Sequence, residues 1–225
     1  MRKHLSIFGF LLLILNLNLA AQDQWDSTIP ETWLLGRDNT NDFKNVKGSP
    51  YLLENWGKAK IKFSDGKEHV GTYVNVNRYL NAVAVKGDMA AQEFVIDASN
   101  IAEIVFIDGG RRFVFYKQDD FTSSNVSETL YEVIYEGEEV TILKDVFTEL
   151  VKAEKGGYAL ANDTDRFVKK DYYYLKSSSK FDQIKLNKAS FKKVLSEDVF
   201  NKLDAYIKGN KLNWSEIDDI VKGLK

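Results

Sequence analysis

Three consecutive tyrosines, Tyr172-Tyr173-Tyr174, are the residues of this chain most suited to recognition chemistry. A tyrosine ring offers an apolar face for stacking and a hydroxyl for hydrogen bonding, so an exposed row of them fits a sugar or a peptide. On a strand, side chains alternate between faces, which puts Tyr172 and Tyr174 on one side and Tyr173 on the other. The same rule places Tyr131 and Tyr135 on one face, with Tyr116 near the end of its own strand. Tyr131, Tyr135, Tyr172, Tyr173 and Tyr174 are therefore the candidate ligand-binding set. The competing use of such residues is ordinary cross-strand aromatic pairing.

Other chemistries have less to work with. Cysteine is absent, which removes disulfides, thiolate catalysis and cysteine-held zinc or iron–sulfur clusters. The two histidines are His4 and His69. His69 follows a turn beside Glu68, and no second mature histidine completes a zinc set. No Gly-x-Ser-x-Gly elbow, P-loop or Gly-x-Gly-x-x-Gly fingerprint occurs. Paired carboxylates are the remaining hydrolytic option, with Asp65, Asp97, Asp108, Asp163 and Asp165 available. Most of these fall in predicted turns, where aspartate serves the backbone. Asn162-Asp163-Thr164-Asp165 offers oxygens to calcium but lacks the further ligands of an EF-hand loop. The expectation is no catalytic set, no metal and no cofactor. Lys58, Lys60 and Lys62 share a strand face that suits an anionic partner or, more simply, a solvated surface that discourages edge pairing.

The elements that must position these residues are mostly strands. Lys58 to Phe63 and Val70 to Val76 alternate at period two around the Ser64-Asp65-Gly66-Lys67 turn, a hairpin signal. Further strands are predicted at 81–86, 93–97 and 101–107, then at 111–117 after the Asp108-Gly109-Gly110 turn. Others follow at 129–136, 140–146, 166–176 and 181–186. The pattern then turns helical. Ala189 to Leu195 is a short amphipathic segment. Ser196 caps a helix over Glu197–Lys208 that Gly209 is placed to end, and Asn213 with Glu216 reads as a capping box for the last helix. The fold class is mainly β with an α+β character. It is an antiparallel meander, either a curved sheet or a partly closed barrel, with a C-terminal pair of short helices.

With 225 residues, 44% apolar composition and a net charge of −2, the chain can build a sizeable core and has no field that argues for nucleic acid. Arg2, Lys3 and His4 precede an apolar run from Leu5 to Leu15, and Leu19-Ala20-Ala21 precedes Gln22. This is the pattern of a signal peptide cleaved near Ala21, and its apolar run is too short to span a bilayer comfortably. The expected organisation is a signal peptide at 1–21, an extended arm at 22–47, a β domain at 48–186 and a helical segment at 187–225 packed on it. The mature protein is expected to be exported, periplasmic or secreted, with no transmembrane span.

The Gly48-Ser49-Pro50-Tyr51-Leu52 opening, the hairpin with Gly66, Tyr131–Gly137 followed by Val140–Leu143, and the close Leu203–Lys208 to Asn210-Lys211-Leu212 resemble a group of uncharacterised secreted proteins of Bacteroidetes-type bacteria. The resemblance implies an envelope location and a Gram-negative host. It carries no activity and no functional residue. The reading is an exported, non-catalytic envelope protein that binds an envelope protein or glycan through its sheet. The alternatives are a carboxylate-based glycan hydrolase and a small-ligand carrier with a barrel cavity.

Overall fold

Alternation builds the first strand. Lysines at 58, 60 and 62 can remain in water, whereas Ala59, Ile61 and Phe63 gain by leaving it, and a period of two serves both. The computed structural model describes residues 29–35, 43, 45–121, 126–153, 164–177 and 181–225. In it this stretch is β1 (Gly57–Phe63), and its three apolar residues are buried. Nine strands follow: β2 (Glu68–Asn77), β3 (Ala82–Lys86), β4 (Phe94–Asp97), β5 (Ile101–Phe106), β6 (Arg112–Tyr116), β7 (Thr129–Glu136), β8 (Val140–Val151), β9 (Arg166–Ser177) and β10 (Phe181–Ile184). All pair antiparallel in one sheet of order β10-β9-β8-β7-β6-β5-β1-β2-β3-β4. The sheet is curled and not closed.

Chain length enforces the curl. Between β4 and β5 lie three residues, Ala98–Asn100, in a 3-10 turn, yet β3, β2 and β1 stand between those two strands in the sheet. A flat sheet would separate them by about 19 Å at about 4.8 Å per strand. A 3-10 turn from Asp97 to Ile101 covers about 8 Å at about 2 Å per residue. The sheet therefore bends until β4 and β5 approach. The Asp97 carboxylate accepts the Ser99 N–H at 2.9 Å and caps the turn. Asn100 accepts from the Ser64 N–H at 2.9 Å, and the Ala98 N–H donates to the Asn81 carbonyl at 3.1 Å. Inside the bend lies the first core, which includes Ile61, Phe63, Val74, Val76, Ile96, Ile104 and Phe106. Ile29 is buried in it, Trp33 lies 5.6 Å from the Phe63 ring, and the Leu35 N–H donates to the Val95 carbonyl at 2.9 Å. Leu34 and Leu35 thus cover the outer edge of β4.

The strands β6 and β7 serve two cores on opposite faces. Phe113 and Leu130 point into the first core. Tyr131, with Tyr116 against it, faces a second core made with Val126, Leu143, Tyr174 and Phe181. A third core forms where the helices α1 (Lys188–Val194), α2 (Glu197–Gly209) and α3 (Ile217–Leu224) cover Val140, Ile142, Leu175 and Ile184. Their stripes of Phe191, Phe200, Leu203, Ile207 and Ile220 supply the other half, as helices too short to persist alone require. Asn187 caps α1 through the Ser190 N–H and Ser196 caps α2 through the Val199 N–H.

The Gly48–Leu52 stretch bridges distant strands. The Lys47 N–H donates to the Asp165 carbonyl and the Phe167 N–H to the Lys47 carbonyl, both at 2.9 Å, at the start of β9. A few residues later the Leu52 N–H donates to the Val76 carbonyl at 2.8 Å, and Pro50 accepts from the Arg78 N–H at 2.9 Å. One strap therefore joins β9 to the end of β2, although five strands separate them in the sheet. Gly48 has φ +83°, and a Cβ there would sit 3.3 Å from the Phe167 carbonyl oxygen, so the residue suits its place twice over.

Four local expectations change. Gly71, at φ +82°, is the extra residue of a β-bulge, because Ala59 pairs with Thr72 but Lys60 with Val70. The parity of β2 flips there, leaving Val70 72% exposed and turning His69 toward Phe63. A second bulge, between Val133 and Tyr135, puts Tyr131 and Tyr135 on opposite faces, not on one. The last helix starts at Ile217 without a side-chain cap; Asn213 instead accepts from the Ser215 N–H, so the expected capping box is not formed. Gly209 is the last residue of α2, and the left-handed residue after it is Lys211 at φ +55°. The signal segment 1–21, residues 22–28 of the arm, and the Asn162-Asp163 half of the possible calcium loop lie outside the described residues.

Arg78, just past β2, reaches across to β7 and β8. Its guanidinium donates to the Val146 carbonyl at 3.1 Å, to Thr129 Oγ1 at 3.1 Å and to the Leu130 carbonyl at 2.9 Å, and it pairs with Asp145. Both charged side chains are nearly inaccessible, at 5% and 6%. Removing one partner of a buried pair strands the other without compensation. Arg78→Met is expected to lose about 3–5 kcal/mol in urea unfolding, and Arg78→Met with Asp145→Leu to recover part of that loss. A single variant within about 0.5 kcal/mol of the parent, as for a surface change, would show that the pair does not hold the curl.

Candidate functional site

The five tyrosines divide between the two faces of the sheet. Tyr131 is fully buried, and its hydroxyl donates to the Ser127 carbonyl at 2.7 Å. Its ring meets Tyr174 edge-on at 5.1 Å and Tyr116 at 6.0 Å. Tyr174 is buried in the same core, and Tyr172, half-buried, packs against it. Tyr135 and Tyr173 lie on the helix-covered face. The Tyr135 hydroxyl donates to the Leu224 carbonyl at 2.7 Å and ties α3 to β7. Burial pushes the Tyr131 phenol well above its ordinary range and the Tyr174 phenol to about 12. The rings do not form a solvent-facing row, because both faces of the sheet are covered where they lie: one by Phe121, Val126 and Phe181, the other by the helices.

The aromatic core abuts a polar cluster that the sequence does not announce. Asp145 and Arg78 lie beside Tyr131 and Tyr174. Thr129 Oγ1 donates to Asn81 Oδ1 at 2.7 Å. Burial pushes the Asp145 carboxyl up, while the adjacent guanidinium opposes that shift. Thr148 Oγ1 is buried with no hydrogen-bond partner. Asp145 sits mid-strand between Lys144 and Val146, a context that gives no signal, and Arg78 sits in a turn 67 residues away.

The remaining candidates serve the backbone or pair with neighbours. Asp65 accepts from the Lys67 N–H at 3.0 Å. Asp165 accepts from the Ala153 N–H at 2.8 Å and pairs with Lys152. Lys60 pairs with Glu68 at 2.7 Å, and Lys58 lies over the Tyr73 ring. Arg111 holds Glu132, whereas Arg112 holds Glu103 and Glu136. Among the described residues, no three of His, Cys, Asp and Glu converge as a metal would need, and no helix is long and apolar enough to cross a membrane.

Two hollows remain. One, of about 190 Å³, lies under the strap among Phe43, Pro50, Tyr51, Asn77 and Phe167. This is below the roughly 300–1,000 Å³ of small-molecule pockets. The other, of about 490 Å³, runs between β10 and α1 and is lined by Asp182, Gln183, Ile184, Lys185, Ser190, Lys193 and Val194. Asp182 is its one carboxylate, whereas glycoside hydrolysis needs two across one cleft. β10 is anchored at both ends, by Phe181 in the aromatic core and Ile184 in the helical one. Among the described residues its outer edge pairs with no strand. A free strand edge presents unpaired N–H and C=O groups, so this groove is the candidate site. Comparison with family models, with curated proteins and with solved structures finds no match.

His69 packs into the fold. Its ring meets Phe63 edge-on at 5.6 Å. Burial, then the Lys67 charge, holds its pKa below the ordinary 6.5. A base with a depressed folded pKa contributes stability that is complete above the unfolded value and lost as pH falls through the folded one. The melting temperature is expected to drop from about pH 7.5 to about pH 5.5, the window in which imidazole titrates, and to drop less in His69→Gln. Equal drops in the two proteins would remove His69 as the cause. The depressed carboxylates Asp65, Glu68, Asp204 and Asp219 act only at lower pH.

Proposed function

We propose that this protein is an exported, non-catalytic envelope protein that binds a partner through its sheet, at the open edge of β10 beside α1. The observation that carries this reading is the asymmetry of the two sheet edges. Leu34 and Leu35 cover β4, whereas β10 has no pairing neighbour among the described residues and faces a groove of about 490 Å³. The bland alternative is that four residues form an edge too short to pair, a common way of blunting edges. A groove of about 490 Å³ beside that edge, walled by a helix, supports the binding reading over that one. The basic start at Arg2 and Lys3, the apolar run and the Ala20-Ala21 site support export.

Two experiments test the two halves of the proposal. A photo-cross-linking residue at Gln183 is expected to give a discrete higher-mass adduct in the native cells, and the same residue at the exposed hairpin tip Asp108 none. No adduct at position 183, or equal adducts at both, would overturn the edge as the binding surface. N-terminal sequencing of the chain recovered from cells is expected to begin at Gln22; a chain still beginning at Met1 in the cytoplasmic fraction would overturn export.

A further inference from the structure

Resting on the edge-binding reading, the chemistry of the groove narrows the partner. Lys185 and Lys193 line it, and Lys192 stands exposed beside Lys193. None of the three takes part in any ion pair found among the described residues. The contrast with the neighbouring helix is sharp. On α2 and its surroundings Lys188 and Lys208 both hold Asp204, and Lys202 holds Asp198. The sequence of α1 contains no acidic residue at all. Asp182 is the single acid on the groove wall. Basic side chains without an ion pair thus stand on both sides of a cleft bounded by β10, whose outer edge pairs with no strand among the described residues.

We infer that the occupant of this groove is an extended polypeptide segment with carboxylate side chains, added antiparallel or parallel to β10 as an eleventh strand. Backbone groups of Asp182, Gln183 and Ile184, the β10 residues that line the groove, supply the hydrogen bonds that hold such a segment, as in other cases of strand addition. Side chains of an added strand alternate between faces, so acids at every second position fall on the side of the helix wall. Lys193 stands on that wall, and Lys185 lines the same groove just past β10. Exposed ion pairs contribute little each, so the backbone bonds carry affinity and the lysines carry selection.

The test uses labelled peptides and the mature chain in fluorescence anisotropy. The probes are an alternating Thr-Glu octapeptide, its Thr-Lys counterpart, and a Thr-Glu peptide N-methylated on alternate backbone nitrogens. Heparin serves as a non-peptide polyanion. The Thr-Glu peptide is expected to bind about tenfold more tightly than the Thr-Lys one. N-methylation is expected to abolish binding, because it keeps the charge and removes the donors. Lys185→Glu with Lys193→Glu, both surface changes, is expected to shift the preference toward Thr-Lys by roughly three- to tenfold, the scale of two exposed pairs. Circular dichroism confirms that this variant remains folded. Equal binding of Thr-Glu and Thr-Lys would overturn acidic selection and leave edge binding intact. Equal binding of the N-methylated peptide or of heparin would show charge attraction without strand addition and overturn the inference. No binding of any peptide, with an adduct still formed at Gln183, would overturn the extended-segment occupant while the edge reading stands.

Discussion

The guanidinium of Arg78 is the interaction on which the architecture depends most. It leaves the end of β2 and satisfies acceptors on β7 and β8, strands that a flat sheet would hold far away. Arginine suits the role because its planar fork can serve several acceptors at once and stays charged when buried. Its partner Asp145 gains a permanent counter-charge in return. The strap from Lys47 to Leu52 crosses the same gap with backbone bonds, and Lys169 Nζ donates to the Tyr51 carbonyl at 2.6 Å beside it. Polar groups thus fasten the curl where the two arms of the sheet meet, and apolar groups fill what the curl encloses.

Covering both faces of the sheet explains the aromatic content better than ligand stacking does. With 13% aromatics and no disulfide, the chain must hold itself by packing. Tyr116, Phe121, Tyr131, Tyr174 and Phe181 interlock with ring centroids 4.1–6.5 Å apart. Edge-on arrangements of this kind add to the burial of the rings themselves. The helices do the same for the other face, with Trp214 against Phe191 and Phe200. Tyrosine is useful at such sites because its hydroxyl can reach a carbonyl at the margin of the core, as Tyr131 and Tyr135 do.

The distribution of unused polar groups then directs attention to one end of the molecule. Many surface charges are matched across strands or along helices. Beside α1 the outer edge of β10 pairs with no strand among the described residues, and Lys185, Lys192 and Lys193 form no ion pair there. Phe181 in the aromatic core and Ile184 in the helical one hold this short edge strand in place from both faces.

The strands were legible because alternation and turn chemistry are local. Lys58–Phe63, the Asp65-Gly66 turn and the Gly109-Gly110 turn each state their structure within a few residues. So do the Ser196 cap and the stripe of α2. Bulges were not legible, since one extra residue depends on the register of the neighbouring strand: Gly71 and the step between Val133 and Tyr135 each reversed the parity that alternation predicts. Arg78 and Asp145 were equally silent, being 67 residues apart and joined only by the curl. The sequence by itself determined the mainly β class, the antiparallel pairing of adjacent strands and the helical close, because those follow from short-range periodicity. Only the tertiary structure decided which tyrosines are interior, which sheet edge stays open and which lysines stand unpaired, because these depend on residues that meet across the folded sheet.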